Sequence, residues 1–319
     1  MNAPRPGATR TRGRPRLFSS LVTDLVVSTP VFLDLTFVGL EALPELGEER
    51  FAAELIRSPG GGAITAVAAA RLGLSAAVAA PLGDDLAGDL VRKALTDEGV
   101  ATIATRSAPR TPTTVVLPFG GDRAMVTVDP GARAQAPDVE SHAPRAVAAN
   151  VDLLYTVPAG ASAYVTCGED DARAYVGRPP KALEGTRAFF LSRREALGLT
   201  GATSLEDAAR ALGELTETAV VTLAGDGALA CSGGELMRAT AERVGRPVDT
   251  TGAGDLLVAA YIWADLRGAE PEDRLRWAVL YASLAVTTAT GIGGARREAE
   301  LLEAGAARGL TPPPLAGAR

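Results

Sequence analysis

The stretch VDTTGAGDLL, Val248–Leu257, sets two threonines and three small residues directly before a carboxylate and an apolar run. The run from Leu256 to Leu266, stopped by Gly268, predicts a largely buried helix starting near Ala253. The first turn of a helix presents backbone N–H groups that lack partners inside the helix. The helix dipole adds positive potential there. Gly252, Ala253 and Gly254 have almost no side chain, so an anion can approach these amides. Asp255 stands beside them. A carboxylate adds little to anion binding. It can, however, take a proton from an attacking hydroxyl while the amides hold the charge developing on a phosphoryl group. One well-placed donor contributes roughly 2.7–4 kcal/mol to such a transition state, and a positioned base about 10²–10⁴ in rate.

Other phosphate loops fit poorly. A Walker loop needs Gly-Lys-Ser/Thr, and the only lysines are Lys93 and Lys181, neither after a glycine. A Rossmann fingerprint would need a glycine at Leu257. GIGGAR, Gly291–Arg296, is a late glycine cluster with no strand directly before it. Two cysteines, Cys167 and Cys231, are too few for a disulfide framework or a zinc site. The single histidine, His142, lies in a polar, Pro-flanked stretch and reads as an exposed loop residue rather than part of a triad.

The elements that must carry this loop alternate along the chain. Strand-like runs are Leu21–Val27, Val31–Gly39, Ser75–Pro81, Asp152–Val157, Ala163–Cys167, Arg187–Ser192 and Thr218–Ala224. Helix-like runs are Ala63–Gly73, Asp84–Gly99, Leu205–Leu215, Ala253–Arg267 and Glu272–Thr288. Such alternation implies right-handed crossovers and a mostly parallel sheet covered on both faces. Thr113–Phe119 and Ala124–Asp129 flank GGD, the pattern of a hairpin, and do not fit the alternation. They predict a small sheet beside the main one.

Composition bounds the rest. The chain has 319 residues, 47% apolar but only 4% aromatic, so its core must be built from Ala, Val and Leu. Its net charge of −6 argues against a nucleic-acid-binding surface over the whole molecule. Residues 1–16 are Arg-rich with no apolar face and read as a disordered tail, in which RGRPR, Arg12–Arg16, resembles an AT-hook. The longest apolar stretch, Leu21–Leu40, is broken by Asp24, Pro30 and Asp34, so no membrane span is expected and the setting is cytoplasmic.

VDTTGAGDLL closely matches the C-terminal signature of the ribokinase-like (phosphofructokinase-B-type) carbohydrate kinases. The resemblance extends, in family order, to PGGGAITAVAAARLGLSAAVAAPLGDDLAGDLVRKALTDEGV, to RTPTTVV with GDRAMVTVDPGA, and to VTLAGDGALA. It implies an α/β fold with three α/β/α layers, a mostly parallel central sheet and a small β lid. The domain would span residues 17–310, with lid strands from about 31–57 and 111–130 and a tail at 311–319. The activity implied is ATP-dependent phosphorylation of a sugar or polyol hydroxyl. Asp255 would be the base, Gly252, Ala253 and Gly254 the anion hole, and Asp34 the grip on sugar hydroxyls. Gly60 and Gly61 would let the substrate approach the backbone. Thr222, Gly225 and Gly227 would border the ATP phosphates and ribose, and Ser283 the adenine. Mg²⁺ would be held mainly through water, with Glu195 near it, and a monovalent cation such as K⁺ is a further family-type requirement. Lid strands would pair two copies into a homodimer.

The chain departs from the family pattern at the acceptor end. Ile64 and Thr65 stand where an asparagine is usual, SRRE (Ser192–Glu195) replaces Asn-x-x-Glu, and Thr166–Pro180 does not match. Two other readings stay open. A nucleoside kinase on the same scaffold would turn over nucleosides but not free sugars. A non-catalytic sugar sensor would bind ligand without turnover. Whether the acceptor already carries a phosphate, with Arg106, Arg110, Arg123 or Arg173 holding it, is likewise open.

Overall fold

The computed structural model describes residues 23–103, 108–119, 122–245 and 248–314. The Arg-rich tail with its AT-hook-like segment, the start of the first expected strand, and Arg106 lie outside the described residues. The chain opens with β1 (Leu25–Ser28), then β2 (Val31–Val38) and β3 (Glu54–Gly61), which runs directly into helix α1 (Gly62–Arg71). Next come β4 (Ala76–Val78), α2 (Leu86–Asp97), β5 (Ala101–Thr102) and the hairpin β6 (Thr113–Phe119) and β7 (Asp122–Val128). A short α3 (Ala136–Glu140) leads to β8 (Ala146–Asn150), β9 (Ser162–Thr166), α4 (Glu169–Ala174), β10 (Ala188–Ser192), α5 (Arg193–Thr200) and α6 (Leu205–Gly213). The last part holds β11 (Thr218–Thr222), β12 (Ala228–Ser232), β13 (Glu235–Ala239), α7 (Ala253–Leu266), α8 (Pro271–Ala285), α9 (Gly291–Gly294) and α10 (Glu298–Ala306).

Among the described residues these strands form two sheets. The large one has nine strands in the order β13-β12-β11-β10-β9-β8-β1-β4-β5. Every neighbouring pair in it is parallel except β11–β12 and β12–β13. The small one is ordered β3-β2-β6-β7, with β2 and β6 parallel between two antiparallel pairs. This is the expected three-layer ribokinase-like architecture with a separate small sheet.

Alanine makes the packing possible. In α1 every residue from Gly62 to Ala69 is buried, so the helix lies close against β1, β4 and α7. In α7 every residue from Leu256 to Asp265 is buried, which leaves this helix wrapped on all sides. The few aromatics sit where Ala cannot fill space: Trp263 meets Trp277 edge-to-face at 5.7 Å, and Phe190 meets Tyr261 at 5.2 Å. The far end of α7 is tied down by charge. Asp265 accepts from Arg187 Nε and Nη2, both at 2.7 Å, and from Tyr164 Oη at 2.6 Å, with Arg274 Nε at 3.1 Å. Burial pushes this carboxyl up, but Arg187, Tyr164 and Arg274 outweigh it and hold it below the ordinary range.

One expected element is corrected. DLLYTV, Asp152–Val157, is not a strand. Val151–Thr156 form a 3₁₀ turn, and the strand is the preceding AVAAN, Ala146–Asn150. A strand covered on both faces reads as a continuous apolar run, and in β8 that run is the four buried residues Ala146–Ala149, three of them alanine. Further elements, among them α3, α4, α5, β12, β13 and α10, went unread as such in the sequence. No helix among the described residues is long and apolar enough to cross a membrane.

Candidate active site

Six elements meet around the α7 mouth: α7 itself, the start of α1, β2 and β3, the beginning of β7, and α9. Gly252 caps α7 with φ +77°, a left-handed conformation that glycine adopts without strain. A Cβ there would lie 2.8 Å from the Gly291 Cα and 2.9 Å from the Ile64 Cδ1. Ile64 thus fills the wedge between the α7 mouth and α9. The amides of Gly252 and Gly254 donate to no acceptor among the described residues, as an anion site requires. Ala253 differs: its N–H donates to the Thr250 carbonyl at 3.3 Å.

Asp249 holds the loop from behind. Its Oδ1 accepts the Thr251 N–H at 2.8 Å and its Oδ2 the Thr290 N–H at 2.9 Å. Thr290, with φ +66°, is one of three described non-glycine residues in the left-handed region. Such a conformation persists only where surrounding bonds impose it.

The Asp255 carboxylate is met from two sides. From α1, the Thr65 hydroxyl lies 3.3 Å from Oδ1 and 3.4 Å from the Asp255 carbonyl, and can donate to either. From the small sheet, Arg123 reaches the same loop, its Nη1 donating to Thr250 Oγ1 at 3.1 Å. Burial pushes the Asp255 carboxyl up to about 6, against the lowering effect of the Thr65 hydrogen bond and the Arg123 charge. Such a value leaves the group ionised near neutrality yet basic enough to accept a proton.

Asp34 lies on β2, buried at 7% exposure, and its carboxylate has no hydrogen-bond partner among the described residues. Burial and the charges of Asp255 and Asp249 push it up to about 7. A buried, unpartnered acid is costly unless a ligand supplies donors. Gly60 has a reason of its own: a Cβ on it would overlap the Asp34 carboxylate. Gly60 therefore makes room for the acid, and Gly61 turns the chain from β3 into α1.

The expected nucleotide side gathers at the carboxyl ends of β10 and β11. Thr222 closes β11 opposite Ser192, and Gly225 follows in an exposed turn. Gly227 opens onto β12, packed against the backbone of Ala239 and Ala241. The Ser283 hydroxyl is engaged twice, donating to Val279 O at 2.7 Å and accepting the Glu242 N–H at 3.0 Å, so it fixes the loop beside it. Glu195 Oε2 accepts the Ser192 N–H at 2.7 Å and Ser192 caps Glu195 in return, a capping box. Burial, with Glu169 and Asp171 nearby, pushes Glu195 up despite its bonds to Ser192. No group of three or more His, Cys, Asp or Glu among the described residues is placed to hold a metal ion.

Of the arginines considered for an acceptor phosphate, Arg173 pairs with Glu169 at 2.6 Å on the surface and Arg110 is exposed. Arg123 alone of these described residues enters the site. Sequence reasoning missed Asp249, although it opens the same DTTGAGD string, and it took Thr65 only as a departure.

A family model described as pfkB family carbohydrate kinase matches residues 45–160 and 168–296. The matched stretches include Asp255 but begin after Asp34. Among solved structures, ribokinase from Arabidopsis thaliana, complexed with ribose and ATP, has a TM-score of 0.72 at 24% identity over 89% of this chain and 99% of its own. Ribokinase from Thermotoga maritima has 0.72 at 19% identity over 89% and 99%. Adenosine kinase from Sinorhizobium meliloti has 0.71 at 20% identity over 91% and 99%. No curated protein matches the sequence.

Proposed function

This chain belongs to the pfkB family of carbohydrate kinases, and we propose that it transfers the γ-phosphoryl group of ATP to a hydroxyl of a sugar or related polyol with Asp255 as base. The observation that carries this reading is the pairing of a recessed carboxylate with the acceptor-free amides of Gly252 and Gly254 at one helix mouth. Asp255 takes the proton of the acceptor hydroxyl. Gly252 and Gly254, with Ala253 between them, hold the phosphoryl oxygens, and Asp34 orients the acceptor by accepting from its hydroxyls. Gly61 and Gly60 form the wall on the acceptor side.

ATP would lie along Thr222, Gly225 and Gly227, with Ser283 and the Glu242 loop at the base. Mg²⁺ fits as a hydrated ion on phosphate oxygens, since Glu195 is already bonded to Ser192 and stands among other acids. When bound it neutralises charge on the phosphates. Turnover in K⁺ compared with tetramethylammonium decides whether a monovalent cation is required. The lid presents Phe119, Met125, Val126 and Val128 to solvent, an apolar surface that supports a homodimer through lid strands. A monomeric mass by light scattering would remove that part. A cytoplasmic setting completes the reading.

The test is ADP release with Mg-ATP across pentoses, hexoses, sugar phosphates, sugar acids and nucleosides, with Asp255→Asn beside the native chain. Turnover on sugars that the variant loses is the expected result. Turnover on nucleosides alone moves the acceptor to that class. Ligand binding without turnover leaves a sensor, and turnover that survives Asp255→Asn removes Asp255 as base.

A further inference from the structure

Strand β7 is the outer strand of the lid, and most of it faces solvent. Arg123, near its start, behaves otherwise. The residue is half-buried, and its guanidinium crosses from the lid to Thr250, 127 positions along the chain and two residues before Gly252. Its charge acts on Asp255. Through Thr250, Arg123 therefore sits at the phosphoryl end of the site, on the loop that leads into the anion hole.

That end has an electrostatic need. Asp34, Asp249 and Asp255 are three acids grouped around the place where the most highly charged part of ATP must arrive. As the acceptor oxygen bonds to the γ-phosphorus, the bond to the β–γ bridging oxygen breaks and its electron pair leaves with ADP. The hydroxyl proton passes to Asp255. Charge in between is spread over three equatorial phosphoryl oxygens. The amides of Gly252 and Gly254 reach these oxygens from the helix mouth. A guanidinium presents a planar fork that matches two such oxygens at once.

We propose that Arg123 is a catalytic residue carried by the lid, whose guanidinium leaves Thr250 to bind the oxygens of the phosphoryl group in transfer. Lid closure and charge stabilisation then become one event. With the lid raised, bound ATP lacks this cation as well as shelter from water. The proposal rests on the kinase reading above.

The test uses the full chain and the variants Arg123→Gln and Arg123→Lys, each checked for an unaltered thermal melt. Calorimetry measures binding of Mg-ADP alone, then of Mg-ADP with aluminium fluoride, a mimic of the phosphoryl group in transfer. Arg123→Gln should bind Mg-ADP like the native chain, yet lose about 10²–10³-fold in affinity for the fluoride complex and a similar factor in kcat. Arg123→Lys, which keeps the charge but not the fork, should recover part of both. Equal fluoride binding by Arg123→Gln and the native chain overturns this proposal alone. So does a rise in acceptor KM at unchanged kcat, which would place Arg123 on the acceptor. Failure of the native chain to bind Mg-ADP overturns the kinase reading, and this proposal with it.

Discussion

Helix α7, which carries Asp255, and strand β7, which carries Arg123, meet at Thr250 but are embedded differently. From Leu256 to Asp265 the helix is buried without a break, whereas Met125, Val126 and Val128 of β7 are 53%, 67% and 55% exposed. A side chain on the first cannot shift without loosening packed neighbours. A side chain on the second can rise and fall with a sheet that the core holds on one side only. The proposed base and anion hole, which must be in place before ATP arrives, belong to the fixed part. The groups proposed to admit and enclose the acceptor belong to the exposed sheet.

Variants of the fixed part test this contrast most severely. Asp255→Asn should lower kcat by about 10²–10⁴-fold while leaving Mg-ATP binding intact, read by steady-state kinetics and calorimetry together. On the lid side, Asp34→Asn should act mainly on acceptor KM, raising it by roughly 10–100-fold, the worth of a hydrogen bond to a charged group. The same variant carries a stability signature. Asp34 is pushed up to about 7 and Asp255 to about 6, so the fold retains protons that the unfolded chain has already lost above its ordinary value of 3.8. Stability from these groups is therefore greatest below about pH 4 and falls as pH rises towards 7. Asp34→Asn removes its share, on the order of 4 kcal/mol. It should melt above the native protein at about pH 8, with the gap closing towards pH 4.

Gly252→Ala probes the backbone of the fixed part. The added methyl meets Gly291 and Ile64 at a positive φ, and the expected loss is about 1–3 kcal/mol in urea unfolding. The smallest effect is expected from Thr65→Val. Removing a bond that lowers the Asp255 carboxyl should move the acidic limb of the kcat/KM profile to higher pH by less than about one unit. Thr65→Ser should leave the limb in place. An equal response to valine and serine would make Thr65 a packing residue only.

What the sequence disclosed follows the same division. The α7 mouth was legible because every functional part of it is contiguous: capping glycine, small residues, acid and apolar run lie within Gly252–Leu257. The main helices were legible from period and stops, as with Asp85 capping α2 through the Gly88 N–H at 2.8 Å. Strand β8 was not, because alanine carries no β signal and the apolar residues of the adjoining 3₁₀ turn carry a false one. The β12–β13 hairpin had a usable mark in Gly233–Gly234, both at positive φ, that went unread. The partners of Asp255 were beyond reach for a different reason. Thr65 is 190 positions away, and Arg123 meets Thr250 from 127 positions away. Only the closure of β3 into α1 and of the lid over the sheet brings them together.

The Asp265 cluster gives α7 a second point of control, ten residues and about 15 Å from Asp255. Arg187, Arg274 and Tyr164 anchor the helix to β9, β10 and α8 there, and none of them touches the chemistry. Loss of one member strands buried charge, at a typical cost of about 3–5 kcal/mol. In a living cell that damage would appear as scarcity rather than sluggishness: fewer molecules surviving quality control as temperature rises, each survivor working at full speed. A genetic screen for lost kinase function would thus return alleles at the foot of this helix, remote from its mouth, alongside those at the mouth itself.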